Sequence, residues 1–173
     1  NYEKAFKLYL KAAELGNASA ITNVALCYRL GKGVAQNYYK AFEYYKKSTL
    51  IKPSENQEQK GFAKGFNKMA ECLMNGMGVE KNCEEAIKCY KQSAEQGDPA
   101  ALLALGNCYN EGIGVPKSIK DAYQQYKKAA SKGHVNAWYI LGEWLLDGKT
   151  DGDEIIVEKD VKKAFSLFKK AAD

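Results

Sequence analysis

Apolar residues recur along the 173-residue chain at helical spacing, in a register that itself repeats. The stretch from residue 100 to residue 133 shows the unit most plainly. Leu102, Leu105 and Tyr109 fall three and four apart, Gly112-Ile113-Gly114-Val115 interrupts, and Ala122, Tyr123, Tyr126, Ala129 and Ala130 resume the period. That spacing predicts two helices, each with one apolar face, joined by a glycine turn.

The alanine that opens the second helix falls at Ala5, Ala41, Ala86, Ala122 and Ala164, in steps of 36, 45, 36 and 42 residues. A bulky residue follows it each time (Phe6, Phe42, Ile87, Tyr123, Phe165), and an aromatic lies three further on (Tyr9, Tyr45, Tyr90, Tyr126, Phe168). Seven residues after it stands a small one: Ala12, Ser48, Ser93, Ala129 or Ala171. The first helices align on the glycine that ends them, Gly31, Gly76, Gly112 and Gly148. Ten before it stand Ile21, Phe66, Leu102 and Trp138, and six before it Ala25, Ala70, Gly106 and Gly142, where little bulk lets a partner helix approach. Glycine after a helix fits a cap with positive φ, and a second glycine (Gly33, Gly78, Gly114) lets the chain reverse within a few residues.

Antiparallel helix pairs of this kind cannot bury their faces singly and stack on one another, so the expected fold is all-α, an α-solenoid of helix pairs. The register makes residues 1–173 a single repeat domain: a partial repeat at 1–18, then repeats at 19–61, 62–99, 100–136 and 137–173. The two long steps are insertions in loops, residues 50–61 and residues 148–159, polar and containing Pro or Gly. The chain starts inside a repeat. It therefore reads as an excerpt of something longer, with any targeting segment lying upstream.

Composition narrows the function without naming it. With 46% hydrophobic and 27% charged residues, the chain has material for a core, and no apolar run approaches the length of a membrane span. The +5 net charge comes from interspersed residues of both signs, which is not a nucleic-acid signature, and the short apolar runs leave no direct membrane insertion to expect. Five cysteines without CxxC or Cys/His zinc spacing read as reduced thiols, and so as a cytoplasmic protein.

The candidate chemistry is thin. Cys27, Cys72 and Cys108 recur at one repeat position, but the fourth copy holds Trp144, which cannot ligate, so the column reads as packing. His134 stands alone as a loop histidine, and Ser166-Leu-Phe-Lys169 matches an SxxK spacing with neither of its companion motifs. Asp147 to Glu158 partly imitates a calcium loop, yet Lys149 sits at the third ligand position, and a solvated acidic loop is the better reading. The lysines of the second helices (Lys46, Lys47, Lys91, Lys127, Lys128, Lys169, Lys170) read as a solvated outer face unaccompanied by aromatics. No acid/base pair, activated nucleophile or phosphate loop occurs, so no enzyme, cofactor or metal is expected.

The pattern ALxxLGxxYxxGxGVxxxxxxAxxxYxxAAxxG, carried by LGNCYNEGIGV and KDAYQQYKKAASKG, resembles the Sel-one-like repeat family, relatives of the tetratricopeptide repeats, over nearly the whole chain. Two copies depart from it: the first ends in STLIKP, and the fourth lacks the compact GxGV turn. The resemblance implies a right-handed α-α superhelix acting as a non-catalytic scaffold or adaptor. A secreted branch of the family carries a disulfide in each repeat; here those positions hold Ala13, Ala94, Ala130 and Ala20, Ala101, Ala137. Carried over from the tetratricopeptide pattern, the residues expected to line a concave groove for a protein or peptide partner include Asn67, Glu71, Leu103, Asn107, Asn110, Tyr139 and Glu143. With Glu111 and Asp147 nearby, that inner face is expected to lean acidic and the outer face basic. The alternative is a spacer that self-associates through its terminal helices, since residues 2–15 lack a first helix of their own and are expected to expose Phe6 and Tyr9.

Overall fold

The computed structural model describes residues 1–51 and 60–172. It resolves into two compact units, Asn1–Asp98 and Pro99–Asp173. The first unit holds α1 (Tyr2–Glu14), α2 (Ala18–Leu30), α3 (Tyr38–Ser48), α4 (Lys60–Asn75) and α5 (Cys83–Glu95). The second holds α6 (Pro99–Glu111), α7 (Ile119–Ser131), α8 (Val135–Asp147), strands β1 (Lys149–Asp151) and β2 (Glu154–Val157), and α9 (Val161–Ala172). Most of the first insertion, residues 52–59, lies outside the described residues.

Each helix pair packs as the columns predict. Ala41, Ala86, Ala122 and Ala164 are fully buried, as are Ala25 and Ala70 six before the closing glycine. At the same position Gly106 lies under the ring of Tyr126, and Gly142 under that of Phe168. A Cβ there would stand 2.4 Å and 2.6 Å from those rings, so bulk on one helix is matched by its absence on the other. The small-residue column meets a second small column: Ser48 Oγ approaches Gly65 of α4 and satisfies itself on the Tyr45 carbonyl at 2.7 Å.

Polar residues set the helix ends. Asn1, Asn37, Asn82, Ser118 and Asp160 each stand four before the opening alanine, and each side chain accepts from a backbone N–H of the first turn. The last four also hold the turn shut. Their own N–H groups donate to Tyr28, Leu73, Tyr109 and Leu145 at 2.8–2.9 Å, each three residues before a closing glycine. The fourth clamp survives although twelve residues intervene between Gly148 and Val161.

The closing glycines adopt positive φ, from 67° at Gly31 to 74° at Gly112. The second glycine does more than reverse the chain. A Cβ on Gly33 would lie 2.3 Å from the Tyr2 carbonyl oxygen, and one on Gly78 would lie 2.1 Å from that of Tyr38, so each turn seats on the start of the preceding second helix.

The fourth repeat departs most. Its insertion is a β-hairpin rather than a calcium loop, with Gly152 and Asp153 as the two-residue turn and Gly152 at φ 60°. Asp151 is engaged within the protein: its Oδ2 accepts from the Ile119 N–H at 2.9 Å and supports the N-terminus of α7. Among the described residues no cluster of three His, Cys, Asp or Glu side chains suited to a metal occurs.

Candidate functional site

The expected groove residues divide by unit. In the first unit Asn67 is only 4% exposed, and its Nδ2 donates to Asp98 at 2.9 Å. Asp98 stands at the α5–α6 junction beside Ser93, whose Oγ donates to the Ala63 carbonyl at 2.7 Å. Asn67 is thus a strut between α4 and that junction, which corrects its expected place on an open surface. Glu71 is engaged as well. Its carboxylate accepts from Arg29 Nη1 of α2 at 3.1 Å and from Lys68 of its own helix, while its carbonyl accepts from Asn75.

Arg29 and Lys68 sit on first helices, so the Glu71 carboxylate is paired there with two cations. The outer lysines also have aromatic company: Lys127 Nζ lies 5.2 Å from the Tyr123 ring centroid.

In the second unit the same positions are open. Asn107 is exposed, with its Oδ1 accepting from the Tyr126 hydroxyl at 2.8 Å, which fixes the amide and turns its NH2 outward. Tyr139 is 51% exposed, its ring 5.5 Å from Phe168, and its hydroxyl bonds to the exposed Glu143, which raises the Tyr139 pKa. Leu103 is half-buried. Leu103 and Asn107 on α6 hold the positions that Tyr139 and Glu143 hold on α8, nine and five before the closing glycine. One hydrogen-bonding and one apolar or aromatic group thus recur on successive first helices, a combination suited to a peptide.

Asn110 is placed differently, at the edge of a cleft of about 1020 Å3. The hairpin, Ile119, Asp147, and the lysines 117, 149 and 159 complete its wall. Nothing in the apolar register marks this cleft. Its one signal was the Gly152-Asp153 turn between short β-prone runs.

The thiol column is packing. Cys72 and Cys108 are buried, no disulfide joins the cysteines, and burial pushes the thiols of Cys72 and Cys89 up to about 11. Trp144, in the same column, packs its face on Tyr123 at 6.4 Å and meets Tyr126 edge-on at 5.2 Å. The N-terminal expectation holds for Tyr9, 37% exposed, and fails for Phe6, 8% exposed, because Phe6 packs edge-on against Tyr28 of α2. Among the described residues, no helix is long and apolar enough to cross a membrane.

Antiparallel helix pairs, each closed by a glycine turn, with Gly106 and Gly142 set under the rings of Tyr126 and Phe168, define a repeat protein of the α-solenoid class. A family model for the Sel1 repeat matches residues 1–17, 18–49, 67–98, 99–134 and 137–173, and the chain belongs to the Sel1 repeat family. Members of this family generally serve as scaffolds for protein interactions. A Sel1 repeat protein from Oxalobacter formigenes is similar over 99% of this chain and 62% of its own, at 32% identity and a TM-score of 0.81. A protective antigen of uropathogenic Escherichia coli displaying the same fold is 26% identical, with a TM-score of 0.79, over 99% of this chain and 34% of its own. The cysteine-rich protein B of Helicobacter pylori shares the fold at 24% identity and a TM-score of 0.60, over 80% of this chain and 93% of its own. The chain therefore spans under two thirds of the first two relatives. A comparison with curated proteins found no match.

Proposed function

We propose that the chain is a non-catalytic adaptor that binds a segment of another protein on the first-helix face of its second unit. The observation that carries this is the pairing of Leu103 and Asn107 on α6 with Tyr139 and Glu143 on α8, open where the equivalent Asn67 and Glu71 of the first unit are internally satisfied. An oriented amide can hold an extended backbone, and a half-exposed tyrosine offers flat apolar area at little entropic cost. Cysteines that form no disulfide support a reducing, cytoplasmic setting for this role.

The test is a pull-down from a lysate of the source organism with the wild type and with an Asn107→Ala, Tyr139→Ala, Glu143→Ala variant whose helix content is first shown unchanged by circular dichroism. The variant is expected to lose partners the wild type retains. Equal recovery of the same proteins would sink the reading.

A second reading, assembly through terminal helices, is favoured by Phe165, 72% exposed on α9 although the bulky column it belongs to is buried at Phe42 and Ile87. Sedimentation discriminates, since a strict monomer at high concentration excludes it.

A further inference from the structure

The cleft beside the hairpin is a product of the fourth repeat's insertion. In the first unit each turn seats its second glycine on the carbonyl of the residue three before the preceding opening alanine, Gly33 on Tyr2 and Gly78 on Tyr38. Ile119 holds that position on α7. No glycine reaches it from the fourth repeat; the hairpin arrives instead and anchors through Asp151 to the Ile119 N–H. A two-stranded ribbon is thicker than a tight turn, and it leaves about 1020 Å3 open where backbone elsewhere meets backbone.

The way the strands line this space differs between them. From β2 come alternate residues, Ile155 and Val157, as expected when a strand presents a face. From the β1 side every residue from Asp147 to Gly152 takes part: a bulge between Lys149 and Thr150 interrupts the alternation, and Gly148 and Gly152 at either end of the strand have only backbone to offer. The cleft therefore borders the backbone of β1 as well as its side chains. One edge of β1 pairs with β2, and among the described residues no other strand joins the sheet.

Side chains around the edge point to the ligand class. Ile119 and Val157 supply an apolar floor, both buried. Lysines 117, 149 and 159 and the carboxylates of Asp147 and Glu158 stand around it, and none of the five takes part in the ion pairs found among the described residues. Lys149 Nζ lies 5.6 Å from the Trp144 ring centroid, which holds its stem against the wall. Cations alone would suit a phosphate. With carboxylates interleaved, the rim suits a chain carrying both signs, and an unpaired strand edge suits a backbone.

We propose that this cleft binds an extended peptide segment by strand addition to the outer edge of β1, with an apolar side chain on Ile119 and Val157 and charged side chains at the rim. This site is distinct from the surface of Leu103, Asn107, Tyr139 and Glu143, none of which lines it.

The test screens an immobilised library of acetylated, amidated hexapeptides that carry one varied apolar residue among Lys and Glu. The best binder is titrated into the 15N-labelled protein. Amide shifts are expected to centre on residues 147–152. Methylating alternate backbone nitrogens of the peptide should weaken binding about 10-fold, with the intervening positions changing about 2-fold or less, because only every second peptide N–H faces an edge strand. A variant whose residues 149–157 are replaced by the Ile-Gly-Val turn of the third repeat should not bind, while Tyr139→Ala should bind as the wild type does. The proposal is overturned if no library member binds at millimolar concentration, if N-methylation shows no alternation, if the hairpin-less variant binds equally, or if the shifts map to Leu103 and Tyr139. The Tyr139→Ala arm separates this failure from failure of the adaptor surface.

Discussion

Gly78 lies so near the Tyr38 carbonyl that a Cβ placed on it would stand 2.1 Å from the oxygen, whereas one on Gly76, two residues earlier, would meet nothing nearer than 3.6 Å. Both glycines have similar positive φ, 73° and 68°. The pair therefore separates backbone preference from collision. Gly76→Ala is expected to cost about 1 kcal/mol for the left-handed conformation, and Gly78→Ala about 3 kcal/mol or more because backbone must also move. Urea midpoints of the two variants check this. Equal losses would show that the turn does not seat on α3.

Gly106 and Ala122 face one helix interface from opposite sides. A Cβ on Gly106 enters the Tyr126 ring, and Ala122 is fully buried on α7. Gly106→Ala and Ala122→Leu are each expected to overpack α6 on α7 and cost about 1–3 kcal/mol. Gly106→Ala should be largely rescued in a Tyr126→Leu background, since the flatter obstacle is gone. Denaturation of the single and double variants measures it, and simple additivity would contradict the contact.

The buried thiols give stability a pH dependence with a definite sign. In the folded chain Cys72 and Cys89 are held at about 11, against an ordinary 9.0 in the unfolded chain. Between those values the unfolded state holds fewer protons, so folding stability falls as pH rises. The contribution is whole below about pH 9 and is lost through about pH 11. A Cys72→Ala, Cys89→Ala variant should show a shallower decline of the urea midpoint over that window. Parallel slopes would mean the thiols ionise alike in both states.

How far the fold was legible depends on what kind of signal each feature leaves. The alanine and aromatic columns were readable because a buried helix face repeats every three to four residues. The capping column of Asn37, Asn82, Ser118 and Asp160 was as regular, but polar, and a reading tuned to apolar period passes over it. Gly78 announced its conformation and not its contact, since the Tyr38 carbonyl lies forty residues away in sequence. Asn67 and Asn107 show the limit for sites. They are the same residue type on corresponding first helices, four repeat positions apart and so about one helical turn; Asn67 meets the carboxylate of Asp98 and disappears, while Asn107 meets the Tyr126 hydroxyl and stays at the surface. The hairpin cleft was concealed for another reason. It arises from where an insertion breaks the repeat, and a consensus describes only where the repeat holds.

Glu71 supplies the sharpest separation between a residue that binds and a residue that braces. It joins α4 to α2 through Arg29 at 3.1 Å, with both side chains under a third exposed, and Lys68 of its own helix reaches the other carboxylate oxygen. Removing Arg29 alone leaves Lys68 to neutralise the carboxylate, whereas removing Glu71 leaves two cations together. Glu71→Ala is therefore expected to destabilise the first unit more than Arg29→Ala does, with a coupling between them of about 1 kcal/mol in a double-mutant cycle. High salt should shrink that coupling only in part, because the pair is partly buried. A groove residue would behave oppositely: its loss would spare stability and cost binding. A Glu71→Ala variant as stable as the wild type would return this carboxylate to the binding surface.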